Sequence, residues 1–201
     1  MSKSRFDNKI TKSFLDNIIL TKKSSCGLTE YKDYELFEIP TYVWKTKFPN
    51  HEKIKDKIIQ SLELTPKAQS HFHKLEKHDY DVPSQYTRLY GEYFCPNFIK
   101  IIQPLVQNYE PLNYHYWFNQ YDIGESQAYL HIHKGALISG CYFVELENHK
   151  DSTIFTNPSL SKGYQIPVKE GDILFWDPMI PHIAPVVEGL KTVISFNLMS
   201  S

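Results

Sequence analysis

Apolar residues recur along this chain with two different periods, and the change from one to the other divides it. Phe6, Ile10, Phe14, Ile18 and Ile19 are spaced near four, which predicts a short helix over Phe6 to Leu20. Ser24, Ser25 and Gly27 mark a loop within Lys22 to Lys32. Tyr34 to Val43 then alternates β-branched and aromatic residues around Pro40, the pattern of an outer strand. Ile54, Ile58, Ile59 and Leu62 form one stripe of a helix over Asn50 to Leu64, with Asn50 as a cap and Pro66 just beyond its end. Gln69 to Gln85 is polar and rich in histidine. Phe98 to Val106 is apolar but holds Pro104, so it reads as a kinked or short helix.

After Asn108 the period shortens. Tyr114–Tyr121, Ala128–Ile132, Leu137–Leu146, Ser152–Phe155, Tyr164–Val168, Asp172–Trp176 and Thr192–Leu198 are strand-like runs separated by Gly, Pro, Asn or acidic turns. Successive strands with no amphipathic helix between them predict a mainly β fold of paired antiparallel sheets, a sandwich or jelly roll, with the helices packed outside. Residues 1–33 form an N-terminal helix and loop in this reading. Residues 34–201 make one domain with its core mainly in 109–201.

Composition narrows the chemistry by exclusion. The 201 residues are 41% hydrophobic and 22% charged, and 22 Lys and Arg against 23 Asp and Glu leave a formal charge of -1. That balance argues against disorder and gives no general attraction to nucleic acid or to an anionic membrane. No run is apolar enough for a membrane span or a signal h-region. Cys26, Cys95 and Cys141 are too few and too scattered for a disulfide framework or a Cys-x-x-Cys knuckle, so a cytoplasmic, reducing location is expected. There is no P-loop, dinucleotide fingerprint or nucleophile elbow. Glu145 and Glu147 read as solvated rather than as a glycosidic pair.

The information lies instead in the nine histidines. His131 and His133 are two apart, and a regular strand would direct both imidazoles to one face. Two imidazoles and one further ligand can hold a transition metal such as ferrous iron with positions left open. His182, after the turn Asp177-Pro178-Met179-Ile180-Pro181, is the leading third ligand. Exposed or hydrogen-bonded histidines would give the same pattern without a metal. His71, His73 and His78 form a weaker cluster among lysines, and His51, His115 and His149 are weaker still.

Taken together, these residues resemble the iron(II)- and 2-oxoglutarate-dependent oxygenases of the prolyl-hydroxylase-like superfamily whose central motif is His-x-His followed by Ser-Gly-x-Tyr. Here those are His131-Ile132-His133 and Ser139-Gly140-Cys141-Tyr142. The similarity continues through a Gly171-Asp172 hydrophobic strand, the proline-rich turn with His182, a basic residue at Lys191, and Ser195-Phe196-Asn197. Upstream, Leu36 to Trp44 and Tyr116 to Tyr121 resemble the group's opening strand and aromatic-Asn segment.

The resemblance implies a double-stranded β-helix binding Fe(II), with 2-oxoglutarate as cosubstrate and molecular oxygen as oxidant, giving hydroxylated product, succinate and carbon dioxide. It implies that His131, His133 and His182 hold the metal and that Lys191 meets the distal carboxylate. Ser195, Asn197, Tyr142 and Asn119 are further cosubstrate contacts on this reading. Two departures stand out: His133 occupies the place of the usual carboxylate ligand, and Lys191 that of the usual arginine. Asp177 or Asp172 could supply a carboxylate or support a ligand. Trp117 and Trp176 read as core, and Gly140 as a place of close strand approach.

Two other functions stay open. One is a three-histidine cupin-type dioxygenase that binds an anionic substrate without 2-oxoglutarate. The other is a non-enzymatic jelly-roll binding or structural protein. The substrate, a small molecule or a peptide, is unidentified, although Tyr86, Arg88, Tyr90 and Tyr93 are candidates for an entry surface. Homodimerisation through an outer sheet or the N-terminal helices is compatible with the pattern.

Overall fold

The computed structural model describes residues 35–38, 42–64, 68–69, 77–79, 88–106, 112–156 and 162–200. The stripe over Phe6 to Leu20, Cys26, His71, His73 and Tyr86 lie outside them. The described elements run, in chain order, β1 (Glu35–Glu38), β2 (Tyr42–Lys47), α1 (His51–Leu64), β3 (Ala68–Gln69), β4 (Lys77–His78), α2 (Gly91–Val106), β5 (Leu112–Tyr121), β6 (Gln127–His131) and β7 (Ile138–Leu146). They continue with β8 (Ile154–Thr156), β9 (Gly163–Gln165), β10 (Asp172–Trp176), β11 (His182–Ala184) and β12 (Lys191–Ser200).

The strands form two antiparallel sheets. The larger has the order β1-β2-β10-β7-β12-β5-β4-β3 and the smaller β6-β11-β8-β9. This is the expected jelly-roll architecture of the double-stranded β-helix type, with helices packed against it. One face of the large sheet carries the helices, and its other face meets the small sheet.

The alternation of side chains explains how the large sheet serves both neighbours. Tyr142 and Val144 of β7, Ile173 and Phe175 of β10, and Ile194, Phe196 and Leu198 of β12 share a core with Ile54, Ile58 and Leu62 of α1 and Phe94, Phe98 and Ile101 of α2. Cys141, Phe143, Leu174, Trp176 and Val193, the residues between them, form a second core with Phe155 and Ala184 of the small sheet. Strands covered on both faces read as continuous apolar runs, which is why all five residues of β10 are buried. Truncating a fully buried ring such as Phe94 or Phe196 to Ala would cost about 3–5 kcal/mol.

The described elements depart from expectation in four places. The second helix is longer than its apolar run suggested, spanning 16 residues from Gly91 through Pro96 and Pro104. Asn50 precedes α1, but with φ at 58° and with its side-chain amide donating to Asn97 Oδ1 at 2.9 Å; its carbonyl receives the Lys53 and Ile54 amides. In place of the single outer strand expected over Tyr34 to Val43, the described residues form two antiparallel strands, β1 at the edge and β2 internal, the latter paired to both β1 and β10. His182–Ala184, for which the sequence predicted no strand, is strand β11. No helix among the described residues is long and apolar enough to cross a membrane.

Candidate metal centre

β6 and β11 are antiparallel neighbours with His182 paired directly to His131, so backbone register sets two imidazoles side by side. β6 ends at His131. His133 therefore lies just past the strand, not within it as expected, and its backbone amide is tied to the Pro178 carbonyl at 2.8 Å. The three rings converge, with centroids 4.3 Å apart for His131 and His182, 5.0 Å for His133 and His182, and 5.1 Å for His131 and His133. One ring nitrogen from each lies within 4.8 Å of the others, a set able to hold a metal ion.

Each imidazole is oriented through its Nδ1. His131 Nδ1 donates to the Tyr129 carbonyl at 3.3 Å, His182 Nδ1 to the Ile180 carbonyl at 2.9 Å, and His133 Nδ1 to Asn197 Oδ1 at 2.7 Å. Ser139 Oγ donates to the same Asn197 oxygen at 2.7 Å. With Nδ1 carrying the proton in all three, Nε2 is left as the lone-pair donor, which is the arrangement that metal-binding histidines adopt. Burial also keeps the rings neutral. It drives His131 down to about 4, helped by the His133 imidazole, and holds His182 well below the ordinary value, helped by both neighbours. Burial lowers His133 too, against the opposing bond to Asn197. Neutral imidazole is the form that coordinates.

The histidines open onto a small cleft between the sheets, with a cavity volume of about 40 Å³. Asn119, Lys191 and Ser195 line it, and Asn119 Nδ2 donates to Ser195 Oγ at 3.2 Å. Lys191 is buried to 2% exposure, with Nζ 5.0 Å from the centre of the Tyr121 ring. Among the described lining residues there is one ammonium and no carboxylate. Such a cleft favours an anion.

Two sequence-predicted contacts lie elsewhere. Tyr142 points from β7 into the helix-side core, where Phe48 stacks on it and His51 Nδ1 lies 2.6 Å from its hydroxyl. It is three residues from Ser139 on one strand, which puts it on the opposite face. Asn197 sits behind His133 and steadies that ring. Asp172 pairs with Lys47 and accepts the Lys169 amide, and Asp177 accepts the Met179 amide, so both carboxylates serve turns. Of the proposed entry residues, Tyr90 is fully buried and donates to Asp79 at 2.7 Å, and Arg88 pairs with the same carboxylate.

Trp117 and Trp176 are buried as expected, yet both also line the cleft; Trp117 lies 5.9 Å from His133 and Trp176 5.0 Å from His182. Ser139, Cys141, Thr153 and Tyr121 were not among the site residues expected from the sequence. The parity of β7 could have found the first two, since Ser139 and Cys141 share the face opposite Tyr142. Burial pushes the Cys141 thiol up to about 12, so it is present as a thiol.

No protein-family model matches the chain, and no curated protein matches it in sequence. Solved structures do match in fold. HygX from Streptomyces hygroscopicus, with nickel, 2-oxoglutarate and hygromycin B bound, aligns over 79% of this chain and 83% of its own at a TM-score of 0.62 and 10% identity. A Pseudomonas putida prolyl-4-hydroxylase aligns over 96% and 100%, with a TM-score of 0.60 and 8% identity. A prolyl hydroxylase from Trichoplax adhaerens, in complex with a hypoxia-inducible factor oxygen degradation domain peptide fragment, aligns over 99% and 94%, with a TM-score of 0.57 and 12% identity. The chain thus shares the double-stranded β-helix fold of these structures, and it carries within that fold a three-histidine cluster capable of holding a metal.

Proposed function

We propose that the protein is a mononuclear non-haem iron oxygenase whose three-imidazole centre takes a metal-chelating anion. The observation that carries this reading is the cleft itself, which joins three neutral imidazoles to a buried ammonium with no carboxylate among its described lining residues. His131, His133 and His182 would hold the iron, and the donor set fits, because all three Nδ1 atoms are engaged and all three rings are neutral. Three neutral ligands leave the full charge of Fe(II) uncompensated, which favours a dianion.

In the first form of this reading the anion is 2-oxoglutarate. The resemblance around Lys191 and the 2-oxoglutarate bound to the fold neighbour HygX support it. Iron with this cosubstrate would supply oxygen activation, with succinate and carbon dioxide as co-products of substrate hydroxylation. Lys191 would neutralise the distal carboxylate as a point charge, without the planar fork of an arginine. Ser195 and Asn119 would add hydrogen bonds beside it. Trp117, Trp176 and Phe155 would keep bulk water from the reacting end, and the Nδ1 bonds would fix the direction of each ligand.

The donor set favours a second form. With His133 in place of the usual carboxylate, the centre has the composition of a three-histidine cupin-type dioxygenase, in which the anionic substrate itself binds the metal and no cosubstrate is needed. One titration separates the two. Fe(II) and then 2-oxoglutarate are added anaerobically to metal-free protein, and charge-transfer absorption is followed. The first form requires a ternary band that is lost in His131→Ala and His182→Ala. A metal-bound protein with no such band favours the second form, and a folded protein that takes no metal leaves a jelly-roll binding protein.

A further inference from the structure

Trp176 stands at the level of the histidines. The pairings Trp176 with Ser139, Ser139 with Asn197 and Asn197 with His115 mark one row across β10, β7, β12 and β5. Ser139 and Asn197 of that row form the support beneath His133. At its β10 end, the Trp176 indole meets the His182 ring edge-on with centroids 5.0 Å apart.

The side chain is 3% exposed, and its Nε1–H is fully buried with no acceptor among the described residues. A buried N–H without an acceptor is rare, because it has given up its bond to water and received nothing in return. Tryptophan is tolerated in a core where its N–H can reach a partner, and phenylalanine fills much of the same space without that demand. Trp176 also lines the cleft that holds Lys191 and the three imidazoles. A ligand oxygen seated in that cleft against the indole edge would supply the acceptor that the N–H lacks.

We infer that the Trp176 indole N–H donates a hydrogen bond to a carboxylate oxygen of the anion bound in the cleft, at the anion's histidine end. Lys191 then neutralises one end of the ligand while Trp176 selects for an oxygen acceptor at the other. This rests on the anion-binding reading above and adds a ligand contact that the sequence motif does not include.

The test uses the full chain loaded with Zn(II), a diamagnetic and redox-silent stand-in for iron, with 2-oxoglutarate as the probe. Trp176→Phe should weaken 2-oxoglutarate binding by about ten- to hundred-fold, the loss expected for a hydrogen bond to a charged acceptor, and leave zinc affinity unchanged. In the wild-type protein labelled with ¹⁵N-tryptophan, the indole resonance absent from Trp176→Phe should move downfield as 2-oxoglutarate saturates. Equal 2-oxoglutarate affinity in the folded variant, or an indole resonance that stays in place while calorimetry records binding, overturns the inference. Should Trp176→Phe fail to fold, the wild-type resonance, assigned through labelled Trp44 and Trp117 variants, decides. If 2-oxoglutarate does not bind wild-type protein at all, this inference falls together with the 2-oxoglutarate form of the reading beneath it.

Discussion

Asn197 Oδ1 lies 2.7 Å from His133 Nδ1 and 2.7 Å from Ser139 Oγ, so one amide oxygen on β12 receives both a metal-ligand candidate and the strand beside it. His133 lies beyond the end of β6 and has no strand pairing of its own. Its direction depends on this bond. Asn197→Ala should lower metal affinity by about ten- to hundred-fold, the usual effect of losing a group that orients a metal ligand. Asn197→Asp, which keeps an acceptor, should retain most of the affinity. Competition with a chromophoric chelator measures both.

Lys191 tests the opposite end of the cleft. Lys191→Met keeps the apolar stem but removes the charge, and should reduce 2-oxoglutarate affinity by about ten- to hundred-fold with metal affinity intact. Lys191→Arg should recover binding. Calorimetry on metal-loaded protein reads this difference, and an unchanged affinity in Lys191→Met would remove the ammonium from the site.

Gly140 gives a stability prediction. A Cβ placed there would sit 2.2 Å from both the Leu174 carbonyl and Phe196 Cζ, in the middle of the large sheet. Gly140→Ala should therefore destabilise by about 1–3 kcal/mol or more. At Gly163 the same methyl meets only Ile154 Cγ2, at 3.2 Å on an edge strand, so Gly163→Ala should be near neutral. Urea unfolding monitored by tryptophan fluorescence compares the two.

Glu170 sets an acid limit. Partial burial works to raise its pKa, but the hydrogen bond and charge of Lys55, 2.7 Å away, and the contact with His51 outweigh this and lower it from 4.5. A carboxylate with a depressed folded pKa contributes stability that is present above the unfolded value and lost as pH falls through the folded one. Wild-type stability should thus fall below about pH 4.5 more steeply than that of Glu170→Gln, as thermal melts across pH 3 to 6 would show.

Much of the architecture was legible because sheet strands advertise themselves by period. The seven runs after Asn108 correspond to seven of the eight strands among the described residues there. The missed one, β11, is three residues long and flanked by Pro181 and Pro185, too short for any alternation to register. The second helix was hidden by Pro96 and Pro104, and the internal position of β2 by its proximity to Pro40, which suggested an edge. The histidine cluster was readable from spacing. The placement of Tyr142 was misread because a motif names residues without their faces, whereas counting from Ser139 puts Tyr142 on the side away from the three histidines.

The same parity has a consequence for folding. In β7, Ser139 and Cys141 face the cleft while Ile138, Tyr142 and Val144 face the helices, and the residues of β12 are interleaved in the same manner. A slip of one residue between these strands would turn Asn197 away from His133 and bring apolar side chains into the cleft. Metal uptake by the three histidines would then report strand register: in a refolding mixture, the fraction of chains that takes up metal would count those whose central ladder has closed correctly.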